Sequence, residues 1–182
     1  MHLVFLGRGR LRTLCGGLCY LGGVIPSTIR RMATTRASRL IRAPREAVYG
    51  ALLNRDAVQQ WMVPEGMTSE IHEFDSREGG AFRISLTYDD RSRSGKTREQ
   101  TDTFHGTFAK LVPSTEVVQI VEFETDDPSL RGMMTIRYLL ADSPEGTDVT
   151  GIHEDLPAGV SPEQNQLGWN MSMDRLARLV EG

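Results

Sequence analysis

Six consecutive stretches, MTSEIHEFD, AFRISLTYD, TFHGTFAKLV, EVVQIVEFE, MMTIRYLLA and TDVTGIHEDL, are rich in β-branched and aromatic residues and are separated by turn clusters. Short links between consecutive strands favour antiparallel hairpins. A chain built this way is committed to a wide antiparallel sheet, one face of which must be covered. The cover is written at the end of the chain, in SPEQNQLGWNMSMDRLARLVEG. Ser161-Pro162, with Gln164 three residues after the serine, reads as a capped helix start. Trp169, Met173, Leu176 and Val180 then fall on one helical stripe. Leu167 and Met171 lie nearly opposite it.

Upstream, RASRLIRA at 36–43 reads as a further strand. Pro44 opens a helical pattern in which Ala47, Val48, Ala51 and Leu52 share one face, and Asn54 ends it. Asp56 is placed to cap a second short helix that Pro64 closes. The predicted fold class is therefore α+β. It is a helix-grip: a curved antiparallel sheet of about seven strands wrapped around a long C-terminal helix, with two short helices after the first strand.

The pair Gly79-Gly80 invites a different reading, a phosphate cradle. Such a loop must lead into a helix, whose free N–H groups hold the anion. Here it leads into AFRISLTY, where Phe82, Ile84, Leu86 and Tyr88 alternate with polar residues. The glycines are thus expected in a tight turn between strands. The longest link, 89–102, is charged and polar and is expected to be a mobile, solvated hairpin tip.

Charge divides the chain. Residues 1–31 carry five arginines and no acid, which leaves 16 basic against 24 acidic residues in the remainder, a net of −8. An acidic domain is poorly matched to a phosphate backbone, so no nucleic-acid partner is expected. No run of 18 apolar residues is present, and no membrane span is expected. Both cysteines, Cys15 and Cys19, lie in the leading segment. Residues 1–31 are read as an extension, a mis-annotated start before Met32 or a targeting segment, and disordered. Residues 32–182 form the domain.

The ordered set LIRAPREAVYGALLN, VQQWMVPEG, EFDSREGGAFRI, FHGTFAKLVP, GTDVTGIHEDLP and GWNMSMDRLARLV resembles the activator of heat-shock-protein ATPase homologue-like family, within the START/Bet v 1-like (SRPBCC) superfamily. The resemblance covers about residues 36–181. It implies a helix-grip fold that encloses a hydrophobic cavity. Members of such a superfamily range from chaperone-associated domains to small-molecule binders and enzymes, so fold alone does not settle function.

Alternation proposes the lining of that cavity: Phe82, Ile84, Leu86 and Tyr88; Phe104 and Phe108; Met134, Ile136 and Tyr138; Val149 and His153; and Trp169, Met173 and Leu176 from the last helix. Trp61 is expected near the mouth, where the family has a similar Trp-x-x-Pro stretch. The same residues would serve equally well as a filled core. An empty hollow of about 300 Å³ would cost about 7 kcal/mol, so a cavity that size must hold ligand or water, or be closed by bulky side chains.

His72, His105 and His153 lie on separate strands without metal-ligand spacing, and neither a metal nor a cofactor is expected. His153 falls on the inner face by alternation, with Tyr138 able to approach from the neighbouring strand. Such a pair would orient a ligand hydroxyl or carbonyl. Glu122, Glu124 and Glu154 are expected to face solvent, and no catalytic residue is proposed. Asn170 is a further candidate contact.

The leading expectation is a cytoplasmic domain that binds a small hydrophobic or amphipathic molecule, as a monomer or homodimer. A domain that regulates a chaperone ATPase, with a heat-shock chaperone as partner, is the alternative. A cyclase- or hydrolase-like enzyme using the same cavity is the second alternative.

Overall fold

The first strand feeds directly into a helical pair. The computed structural model describes residues 33–182; the expectations for residues 1–31 lie outside them. β1 (Ala33–Ile41) is followed by α1 (Arg45–Leu53) and α2 (Arg55–Trp61). Six strands follow: β2 (Met67–Phe74), β3 (Ala81–Tyr88), β4 (Thr101–Val112), β5 (Glu116–Phe123), β6 (Met134–Ser143) and β7 (Gly146–Leu156). α3 (Pro162–Glu181) closes the chain. All seven strands join one antiparallel sheet in the order β1-β7-β6-β5-β4-β3-β2. This is the helix-grip, with a long C-terminal helix and two short helices after the first strand.

The helix ends are set by local chemistry. Asn54 terminates α1 and also caps α2, its side chain accepting from the Ala57 N–H at 2.9 Å. Asp56, expected as that cap, sits instead inside the first turn, where its charge faces the positive end of the helix. In α3, Ser161 Oγ accepts from the Gln164 N–H at 3.2 Å with Pro162 in the first turn, as the sequence predicts. Ser161 Oγ also donates to Glu163 at 2.8 Å.

Gly79 and Gly80 form the turn between β2 and β3. Gly79 has φ +76°, and a Cβ on Gly80 would collide with the Asp75 carbonyl. Two different constraints therefore select the two glycines.

Directly paired residues of an antiparallel sheet point to the same side, so the register sorts the faces. Thr35, Ala37, Arg39 and Ile41 of β1 align with His153, Gly151, Val149 and Thr147 of β7. His153, Gly151 and Val149 align with Ile136, Tyr138 and Leu140 of β6. Ile136, Tyr138 and Met134 align with Gln119, Val117 and Val121 of β5. Phe108, Gly106 and Phe104 of β4 continue that side, followed by Phe82 and Ile84 of β3 and then Phe74 and Ile71 of β2. This is the inner face. Its apolar side chains join Val48 and Leu52 of α1, Val58 and Trp61 of α2, and Met173, Leu176 and Ala177 of α3 in one core.

The 89–102 link departs from the sequence expectation. It is tied to the sheet end rather than left as a free tip. Asp102, buried on the inner side, accepts from the Lys96 backbone N–H at 2.5 Å and pairs with the Lys96 ammonium. Thr125 Oγ1 donates to the Lys96 carbonyl at 3.1 Å, and the Lys96 ammonium lies 5.6 Å from the Phe123 ring centroid. A buried carboxylate without such a partner would be costly, so the pairing holds the loop down.

Candidate functional site

The expected lining residues do share one face, and the structure divides them into two groups. Phe82, Ile84, Phe108, Met134, Ile136, Tyr138, Val149, His153, Met173, Leu176 and Trp61 are buried. Trp169 of α3 is only half-buried, as are Leu86, Tyr88 and Phe104 toward the sheet end held by the 89–102 loop. There Arg93 lies 5.1 Å from the Tyr88 ring centroid, and Phe104 meets Phe123 edge-on.

At the centre of the buried group, α3 packs chiefly along β1, and its Trp169 and Met173 side chains reach over to β7. A Cβ on Gly151 would strike both the Trp169 ring and Met173 Cε, so only glycine admits this approach. The close approach sets up a run of rings. Trp61 meets Tyr138 edge-on at 5.9 Å, Tyr138 is 5.5 Å from Trp169, and Trp169 is 6.0 Å from His153. Tyr138 and His153 both pack on Trp169. Among the described residues they make no hydrogen bond to each other.

His153 has its own polar partners. The Trp169 indole N–H donates to Nδ1 at 3.1 Å, and the Asn165 amide lies 3.2 Å from the same atom. Asn165 is oriented by Thr35, whose hydroxyl donates to Oδ1 at 2.5 Å, which leaves the NH₂ side toward the imidazole. An indole N–H can only donate, so Nδ1 is an acceptor and the proton of the neutral ring is on Nε2. Burial pushes the His153 pKa down to about 4, so the ring is neutral near pH 7. Burial also raises the Tyr138 hydroxyl above its ordinary value.

Among the described residues, three buried side-chain polar atoms lack any partner: His153 Nε2, Gln119 Oε1 and Ser69 Oγ. All three residues belong to the inner face by register. His153 is 6% exposed and Gln119 is 2% exposed. They stand in one row across the sheet, Phe108–Gln119–Ile136–His153–Thr35, with Ile136 between them. Among the described residues the interior thus presents a free N–H donor at His153 and a free carbonyl acceptor at Gln119 in one row, with the Ser69 hydroxyl unpartnered on β2. Gln119, Asn165, Thr35 and Ser69 were not among the sequence candidates. A signal existed for Gln119: it takes the inward phase of EVVQIVEF, between Val117 and Val121.

Two depressions mark the surface, of about 200 Å³ and 290 Å³. The first is lined by Ser38, Arg39, Asn170, Met173 and Asp174. The second is lined by Arg39, Leu40, Arg42 and Glu181. Both follow the seam between β1 and α3, and of the sequence candidates Met173 and Asn170 line the first.

A family model described as activator of Hsp90 ATPase homolog 1-like protein matches residues 42–181, most of the chain. The chain belongs to the activator of Hsp90 ATPase homolog 1-like family. A solved protein from Chromobacterium violaceum is 34% identical, covering 82% of this chain and 97% of its own, with a TM-score of 0.73. A protein from Aeromonas hydrophila, titled as a member of the same family, is 23% identical over 82% of this chain and 92% of its own, TM-score 0.60. A Rhodobacter sphaeroides protein shares the fold at 14% identity and TM-score 0.66, covering 81% and 91% of the two chains. No curated protein matches.

The outer face of this family member carries a polar cluster of its own. His72 Nε2 is 2.8 Å from Ser85 Oγ, and Glu70 lies 3.6 Å from His72 Nδ1. The acid–imidazole–hydroxyl order suggests a nucleophile, but two features oppose it. Ser85 Oγ is also bonded to Thr103 at 2.8 Å. Ser85 sits inside the ladder between Glu70 of β2 and Thr103 of β4, so no free backbone N–H is available to hold an oxyanion. Glu124 is held by a two-pronged Arg83 pair at 2.7 and 2.8 Å, which lowers its pKa. Arg137 holds Glu154 at 2.8 Å. These outer carboxylates are ion-paired at the solvent side, where the sequence expected them.

Among the described residues, no helix is long and apolar enough to cross a membrane.

Proposed function

We propose that this domain binds a small hydrophobic or amphipathic molecule between the inner face of the sheet and α3. The observation that carries the reading is the pair of buried, unpartnered polar atoms, His153 Nε2 and Gln119 Oε1, on that face. A buried polar group left without a partner costs about 1–3 kcal/mol. Two of them cost a large part of a typical domain stability of about 5–15 kcal/mol. A guest with matching polar groups recovers that cost.

Room for the guest comes from adaptable side chains. Met134 and Met173 fill the centre of the core, and Met side chains re-pack readily. Trp169 is only partly buried and borders the row. The expected lining set supplies the apolar contact, and Trp61 and Tyr138 belong to its aromatic wall. A cytoplasmic setting is part of this reading, since a domain whose cysteines all lie outside it needs no oxidising compartment.

Native mass spectrometry of gently purified full-length chain tests the proposal. The expected result is a bound organic molecule released on activation, together with saturable binding of an apolar fluorescent probe. A chain that carries nothing and leaves the probe dark would overturn it.

The family description favours a second reading, regulation of a chaperone ATPase. That reading requires the chain to co-purify with the chaperone and to change its ATP turnover; ligand binding without either effect would exclude it.

A further inference from the structure

We propose that the ligand is uncharged and carries one hydrogen-bond acceptor and one donor, the acceptor facing His153 Nε2 and the donor facing Gln119 Oε1, with its apolar body over Ile136. This rests on the ligand-binding reading above and specifies the chemistry of that ligand.

Phe108, Gln119, Ile136, His153 and Thr35 include no charged side chain. Two cations on the inner side by register or by pairing are already engaged, Arg39 with Asp174 at 3.0 Å and Lys96 with Asp102. An anionic ligand would enter an apolar interior without a counter-charge, which is strongly unfavourable. A cation finds only the amide oxygen.

The polarity of the His153 end is fixed by its partners, and that of the Gln119 end follows from the orientation of its amide. At His153, the Trp169 indole and Asn165 occupy Nδ1, so what is left is an N–H that only an acceptor can satisfy. At Gln119, the free atom is the amide oxygen, which only a donor can satisfy. The two residues are separated by one intervening strand, so their Cα atoms lie about 10 Å apart, two strand spacings. That span suits one substituted ring between two hydrogen bonds, lying on the Ile136 side chain.

Four ring compounds of similar shape test this on the full chain: 4-hydroxyacetophenone, acetophenone, phenol and ethylbenzene, with 4-hydroxybenzoate as the charged control. Binding is read by NMR titration of the indole N–H signals, since the chain has two tryptophans and the Trp169 indole bonds His153 directly. The expected order puts 4-hydroxyacetophenone first, with acetophenone and phenol each about fivefold weaker, the worth of one net hydrogen bond. Ethylbenzene and 4-hydroxybenzoate should be weaker again. Gln119→Leu should erase the benefit of the hydroxyl, and His153→Phe the benefit of the carbonyl. The wild-type series decides even where a variant fails to fold. If affinity follows apolar area alone, the polar assignment is wrong while apolar binding stands. If none of the five compounds binds, both fail.

Discussion

Two donors converge on Nδ1 of His153 and none reaches Nε2. This has a consequence for acid stability. The unfolded ring titrates near 6.5 and the folded one at about 4. As pH falls through that window the unfolded state takes up the proton first, so stability present above 6.5 is progressively lost down to 4. The full loss is about 3 kcal/mol. Urea unfolding at a series of pH values should show this slope, and His153→Gln should flatten it; an unchanged slope would place the acid sensitivity elsewhere. Gln119 makes the complementary case. Replacing it with Leu removes a buried acceptor that has no partner, so the apo protein should gain about 1 kcal/mol in urea while losing preference for ligands with a donor. His153 was legible in the sequence because alternation from Val149 put it inward. Its partners were not, because Thr35 and Asn165 are 130 residues apart in the chain.

Among the elements, α3 and β7 are the pair on which the site depends. Gly151→Val should push α3 off the sheet, because the added atoms meet both Trp169 and Met173. The expected outcome is a destabilisation of about 2 kcal/mol or more, from overpacking, and loss of the upfield or downfield shift that the Trp169 indole N–H takes from its His153 bond. A Trp169 signal unchanged in position would show that the helix had not moved. At the other end, Asn54→Ala should cost about 1 kcal/mol by removing the cap of α2, whereas Asp56→Ala should cost less. Helix and strand identities were readable here from periodicity and from punctuation by Pro and Gly. The cap was misassigned because α1 and α2 share one residue at their junction, and only the backbone path shows which side chain faces the free N–H groups.

For the whole molecule, a guest that binds only the folded state raises stability by mass action, by about 2.7 kcal/mol at a hundredfold excess over Kd. Thermal unfolding with 4-hydroxyacetophenone at rising concentration should therefore shift upward and saturate with the same affinity as the indole titration. The 89–102 loop also belongs to this scale. Its sequence is that of a solvated tip, yet Asp102 is buried and draws Lys96 onto the end of the sheet. What the sequence determined by itself was the inward phase of β3, β4, β6 and β7 and the cover over the sheet, because a period of two and a period near four are local properties of the chain. Which inward atoms would find partners was decided only in the tertiary structure. Register placed Gln119, Ile136 and His153 in one row, and a glycine let a helix come close enough to take up one imidazole nitrogen and leave the other free.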